Sequence, residues 1–139
     1  LADWKTQILE AVGSNGKVLT DIIRNLELVI GPQPEVSILG GAEAQNRFNS
    51  VFQNFVKTMA DKEHPLVIFL DDLHWIDSAS LKLLKVLVTD PDLSHVQYIG
   101  AYRDNEVDAA HPLIAFLESL KEEQAVLKQI ASDGQCRLA

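Results

Sequence analysis

Apolar residues recur at helical spacing along most of the chain, and the rhythm breaks at two short runs. Trp4, Ile8, Leu9 and Val12 predict a helix over residues 3–12, stopped by Gly13. Gly13-Ser14-Asn15-Gly16 is turn chemistry. Ile22, Ile23, Leu26, Val29 and Ile30 supply the apolar side of a second helix, 18–30. Gly31-Pro32-Gln33-Pro34 ends it, because neither proline can continue a helix. Beyond a loop, Phe48, Val51, Phe52, Phe55, Val56 and Met59 follow the i, i+3, i+4, i+7 rule in the most regular helix of the sequence, 42–60. That stripe predicts a face packed on a sheet; a groove for a partner helix is the other use of such a face.

The first break is Leu66–Leu70, an apolar run without alternation, which predicts a strand buried on both faces in a parallel sheet. Asp71 and Asp72 follow it directly. Asp77 or Ser78 can cap the next helix, which runs to residue 88 with Leu81, Leu84 and Val88 on one side. Residues 96–102 form the second break and complete a strand–helix–strand unit, expected to cross over right-handed. His111-Pro112 opens a helix to residue 122, with Leu113, Phe116, Leu117 and Leu120 turned inward. A third strand is expected within 125–130, while 134–139 shows no pattern. The fold class expected is α/β: a short, mainly parallel sheet of two to three strands flanked by helices in three layers. One partial domain is expected, with a helical lead-in at 1–41, a core at 42–131 and a ragged end at 132–139.

Composition narrows the function. An apolar fraction of 47% excludes a disordered chain. No apolar run reaches the length of a membrane span, and no basic, apolar, small-residue leader opens the sequence. The chain begins with Leu1, as a piece of a longer polypeptide would. A net charge of −8 with scattered Lys and Arg excludes non-specific nucleic-acid binding. The single cysteine, Cys136, cannot form an internal disulfide, which suits a reducing cytoplasm.

Candidate chemistry gathers after the first strand. Side chains at the carboxyl end of a parallel strand face the crevice where open α/β sheets bind ligands. Adjacent carboxylates there need a cation or a set of donors. Magnesium carried by nucleotide phosphates is the usual one. Gly16-Lys17 does not complete the phosphate-cradling G-x-x-x-x-G-K-[ST] loop: Ala11 stands where its first glycine belongs and Val18 where its Ser/Thr belongs. The H-R-D and D-F-G elements of protein kinases are absent from the sequence. Asp71, Asp72, His74 and Asp77 fit no standard zinc spacing.

The run ending in Asp71-Asp72 resembles the Walker B pattern of P-loop ATPases. Leu70-Asp71-Asp72-Leu73-His74-Trp75-Ile76-Asp77-Ser78-Ala79-Ser80-Leu81 is similar to the corresponding segment of AAA-type and STAND-type signalling ATPases. Ile99-Gly100-Ala101-Tyr102-Arg103-Asp104-Asn105-Glu106-Val107, then His111-Pro112-Leu113, resembles the strand and loop that follow it there. The resemblance points to the ATPase module of large bacterial sensor proteins fused to serine/threonine or histidine kinases. It implies ATP and Mg2+ as cofactors, Asp71 on the magnesium, and Asp72 on the magnesium and the attacking water. Arg103 falls at the sensor position near the γ-phosphate. It implies as partners an upstream P-loop segment and neighbouring kinase or sensor domains, with no nucleic acid.

Plainer readings stand beside these. Asp71 and Asp72 can simply end a strand and cap a turn, and Arg103 can pair with Asp104 or Glu106. Trp75 is expected to anchor packing. His64, His95 and His111 are expected to be loop residues without partners. A non-catalytic scaffold derived from such an ATPase is the alternative function. A missing neighbouring strand would leave a sheet edge open.

Overall fold

The helical rhythm of the first third of the chain closes on itself. In the computed structural model, which describes residues 2–123, 128–132 and 135–138, the chain divides into two compact units, Leu1–Met59 and Ala60–Ala139. The first unit holds helices α1 (Ala2–Val12), α2 (Gly16–Thr20), α3 (Glu27–Ile30) and α4 (Gly41–Met59). Ile8, Val12, Leu19, Leu26, Ile30 and Val51 form its core, with Phe48, Phe52, Phe55 and Met59 packed against them. The apolar stripe of α4 therefore meets other helices of its own unit. The single helix expected over 18–30 is broken between α2 and α3. Thr20, Asp21, Ile22, Ile23 and Asn25 lie at the break, β-branched or short polar residues that favour helix least. Gly31 ends α3 at φ 81°, a left-handed conformation that glycine adopts without a Cβ penalty.

The second unit is the α/β part, with strand β1 (Leu66–Leu70), helix α5 (Ser78–Val88), strand β2 (Val96–Arg103) and helix α6 (Pro112–Glu122). Strands β3 (Gln129–Ser132) and β4 (Gln135–Leu138) complete a sheet of order β1-β2-β4-β3. β1 and β2 pair in parallel from Leu66↔Val96 to Leu70↔Gly100, the strand–helix–strand unit read from the sequence. β4 lies antiparallel to both β2 and β3. The sheet thus has four strands rather than two or three. Most of the segment expected to be ragged is a strand, paired with its neighbour β3 and with β2, more than thirty residues earlier. Of the strand expected within 125–130, residues 125–127 lie outside the described residues and β3 begins at Gln129.

A single face of this sheet carries the core. Tyr102 of β2, Leu81 and Leu84 of α5, and Leu113, Phe116, Leu117 and Leu120 of α6 are buried together, with Leu70 and Tyr98 packed against them. Leu113 is fully buried, and removing such a side chain from water contributes about 2 kcal/mol. On the other face of β1, Val67 is 56% and Phe69 58% exposed. The expected two-sided burial of β1 is therefore not met: both helices of the unit pack on the face that carries Leu70, Tyr98 and Tyr102. The result is a partial P-loop NTPase-like α/β fold.

Candidate functional site

The site is built where β1 runs out. Asp71 and Asp72 are both exposed just past its last residue, and the Asp71 carboxylate accepts from the Asp72 N–H at 2.9 Å. Asp72 has φ 53° and ψ 40°, a left-handed conformation that costs most residues but that aspartate tolerates. That inversion turns the backbone into a 3-10 turn, Leu73–Trp75, in which the Trp75 N–H donates to the Asp72 carbonyl at 2.9 Å. A 3-10 turn eclipses residues three apart. Leu73 and Ile76 therefore both meet the core, and the side chains between them take what is left.

What is left runs against the expectation that Trp75 anchors packing. Trp75 is 78% exposed, its ring tilted against that of His74 at 5.5 Å, whereas His74 is buried at 7%. The His74 ring lies between two carboxylates, with Nε2 3.3 Å from Glu106 Oε2 and 3.8 Å from Asp72 Oδ1. Neither ring nitrogen has a hydrogen-bond partner among the described residues, so charge proximity, not an aligned bond, relates the ring to those acids. Glu106 sits in the 3-10 turn Asp104–Glu106 that follows β2. Its Oε1 accepts from Arg103 Nη1 at 3.0 Å. Asp72 and Arg103, at the ends of adjacent parallel strands, thus lie to either side of His74 and Glu106, with Arg103 bonded to Glu106 and Asp72 3.8 Å from the His74 ring. Asp71 meets Asp72 through the backbone bond described above.

His111 lies just outside α6, as a loop residue would, but it is not without partners. It caps α6, its Nδ1 accepting from the Leu113 N–H at 3.1 Å, and its Nε2 lies 3.2 Å from the His74 carbonyl oxygen. His64 meets Asp61, with its Nδ1 3.1 Å from Asp61 Oδ1, and His95 Nδ1 lies 3.1 Å from the Ser94 hydroxyl. Glu106 was visible in the sequence only as a possible partner of Arg103, and His74 only as a member of a group without zinc spacing. The place of His111 before Pro112 at a helix start was read from the sequence, but its reach to the His74 carbonyl leaves no local signal. Asp77, in contrast, does what its sequence position announced. Its carboxylate accepts from the Ala79 and Ser80 N–H groups at 2.8 and 2.9 Å. The Ser80 backbone bond first, then the Ser80 hydroxyl, hold its carboxyl below the usual aspartate range.

The donor set fits a magnesium ion that arrives with phosphate. Two exposed neighbouring carboxylates match the one or two protein ligands that magnesium takes while keeping its waters. They do not make a resident metal centre: among the described residues no group of three or more His, Cys, Asp or Glu could hold an ion by itself. Chemically, the acidic pair can meet a hydrated cation, and the Arg103 guanidinium, tied here to Glu106, can meet an anion.

The family model of the AAA ATPase domain matches residues 1–99. Among curated proteins, "Hybrid signal transduction histidine kinase G" of Dictyostelium discoideum is 39% identical over 85 residues, 61% of this chain. The chain spans 2% of the length of that relative. No solved structure matches the chain. No helix among the described residues is long and apolar enough to cross a membrane.

Proposed function

The chain belongs to the AAA ATPase domain family, and on that footing we propose that it is the Walker B and sensor-strand portion of a regulatory ATP-binding and hydrolysing module in a multidomain signalling protein. The observation that carries the reading is the gathering of Asp71, Asp72 and, across His74 and Glu106, Arg103 at the carboxyl end of the parallel pair. In this reading Asp71 and Asp72 hold the magnesium of Mg-ATP, which neutralises charge on the transferring phosphoryl group when bound. Asp72 also orients the attacking water, and Arg103 senses the γ-phosphate once Glu106 lets it go. The histidine kinase relative supports kinase or sensor domains on the same polypeptide as partners, and an upstream P-loop segment supplies the phosphate grip. A cytoplasmic place follows from the same reading.

The test uses the longest polypeptide that carries this segment. Asp72→Asn should keep Mg-ATP binding and lower hydrolysis by about 100-fold or more. Asp71→Ala should weaken binding in magnesium but not in its absence. Wild-type rates in both variants would end the reading. The 139-residue chain alone should bind Mg-ATP weakly or not at all, since it contains no G-x-x-x-x-G-K-[ST], and micromolar binding by calorimetry would contradict the assignment of the grip to another segment.

A second reading, a non-catalytic scaffold derived from such an ATPase, is favoured by one observation: Arg103 is already paired with Glu106. A G-x-x-x-x-G-K-[ST] loop after an apolar run upstream in the parent polypeptide decides for the ATPase, and its absence there decides for the scaffold.

A further inference from the structure

The His111 imidazole uses both of its nitrogens, and its neighbours dictate which carries the proton. The Leu113 N–H donates to Nδ1 at 3.1 Å, so Nδ1 is bare. A neutral ring then carries its hydrogen on Nε2, which lies 3.2 Å from the His74 carbonyl oxygen, a group that can only accept. Histidine is not among the favoured N-cap residues. Here Pro112, at the start of α6, has no N–H, so Leu113 offers the first backbone donor and the ring takes it. The other arm reaches across to the Leu73–Trp75 turn, the turn that begins at the left-handed Asp72. Within that turn the Trp75 N–H donates to the Asp72 carbonyl and the Ile76 N–H to the Leu73 carbonyl, at 2.9 and 3.2 Å.

We propose that His111 is a positioning residue of the candidate site: a neutral, Nε2-protonated clamp that fixes the acidic turn after β1 to the start of α6. The carboxylate of Asp72 and the ring of His74 take their places from a turn pinned at the His74 carbonyl. The clamp itself is independent of any ligand. Its bearing on nucleotide chemistry rests on the ATPase reading above.

Long-range 1H–15N spectra of the 139-residue chain at neutral pH, with the ring assigned by His111→Asn, should show a protonated Nε2 and a bare Nδ1. An Nδ1-protonated ring overturns the proposal. His111→Asn keeps a capping side chain but is too short for the second arm. Amide hydrogen exchange at Trp75 and Ile76 should then quicken about fivefold to tenfold, with the amides in the middle of α6 unchanged. Exchange altered along α6 with the turn unmoved would mean that His111 only caps, and would overturn the clamp. If His111→Asn does not fold, the ring is assigned by selective labelling and the wild-type tautomer decides alone. None of these measurements contains nucleotide, so failure of the ATPase reading and failure of the clamp are told apart.

Discussion

Tyr98 shows how a polar atom can be carried into a core because the rest of its side chain belongs there. Its ring packs on the shared face with Leu70 and Val88, yet its hydroxyl is buried without a hydrogen-bond partner among the described residues. Burial first, and the nearby charge of Asp90 second, push its ionisation up to about 12. An orphan hydroxyl costs what its lost hydration was worth, so removing it should not harm the fold. Tyr98→Phe should leave stability unchanged or raise it by about 1 kcal/mol in urea denaturation; a clear loss would show that the hydroxyl has a partner after all. The residue scale also explains why His74 is buried and Trp75 is exposed. Amphipathic side chains go where the backbone turn sends them, and a left-handed residue at Asp72 followed by a three-residue period assigns the core to Leu73 and Ile76.

At the scale of the element, α5 is the helix whose boundaries were written most plainly in its own residues. Asp77, in extended conformation, takes two of the free N–H groups of its first turn, and Lys85 stands in its last turn, where a cation suits the helix dipole. Because the folded carboxyl of Asp77 titrates below its ordinary value of 3.8, its stabilisation is complete above that value and is lost as pH falls through the lower folded one. Asp77→Ala should therefore lower the thermal midpoint by a few degrees at neutral pH, and the gap from wild type should narrow on acidification below the carboxylate range. A gap that stays constant with pH would remove the charge from the account and leave only helix propensity. α6 is the contrasting case: its start depends on His111, whose second contact lies 37 residues away in sequence.

At the scale of the whole molecule the sheet sets the behaviour. Among the described residues β1 is paired on one side only, with β2, so it is an edge strand and an apolar one. Its outward Val67 and Phe69 add exposed side chains to that open ladder, the combination that natural proteins usually blunt with charge. Phe69→Lys should reduce self-association of the 139-residue chain in light scattering and sedimentation, with the α5 and α6 core and its thermal midpoint unaffected. If Phe69→Lys unfolds the unit instead, that side of β1 is not solvent-facing. The net charge of −8 disperses the chains as wholes but places no charge within Leu66–Leu70 itself.

Within single segments the residues were decisive. The periods of α1, α4, α5 and α6, the strands β1 and β2, and the cap at Asp77 follow from neighbours three or four positions away, or one to five along a strand. The acidic pair at the end of β1 and the arginine at the end of β2 were likewise legible, because their places depend only on where a strand stops. Tertiary structure alone decided which side of the sheet is covered, which helices shelter the stripe of α4, and that residues 135–138 pair between β2 and β3. It also decided that His74 and Glu106 lie between Asp72 and Arg103, and that His111 spans two elements. These outcomes rest on contacts between distant residues and on one backbone inversion at Asp72, and neither leaves a periodic trace along the chain.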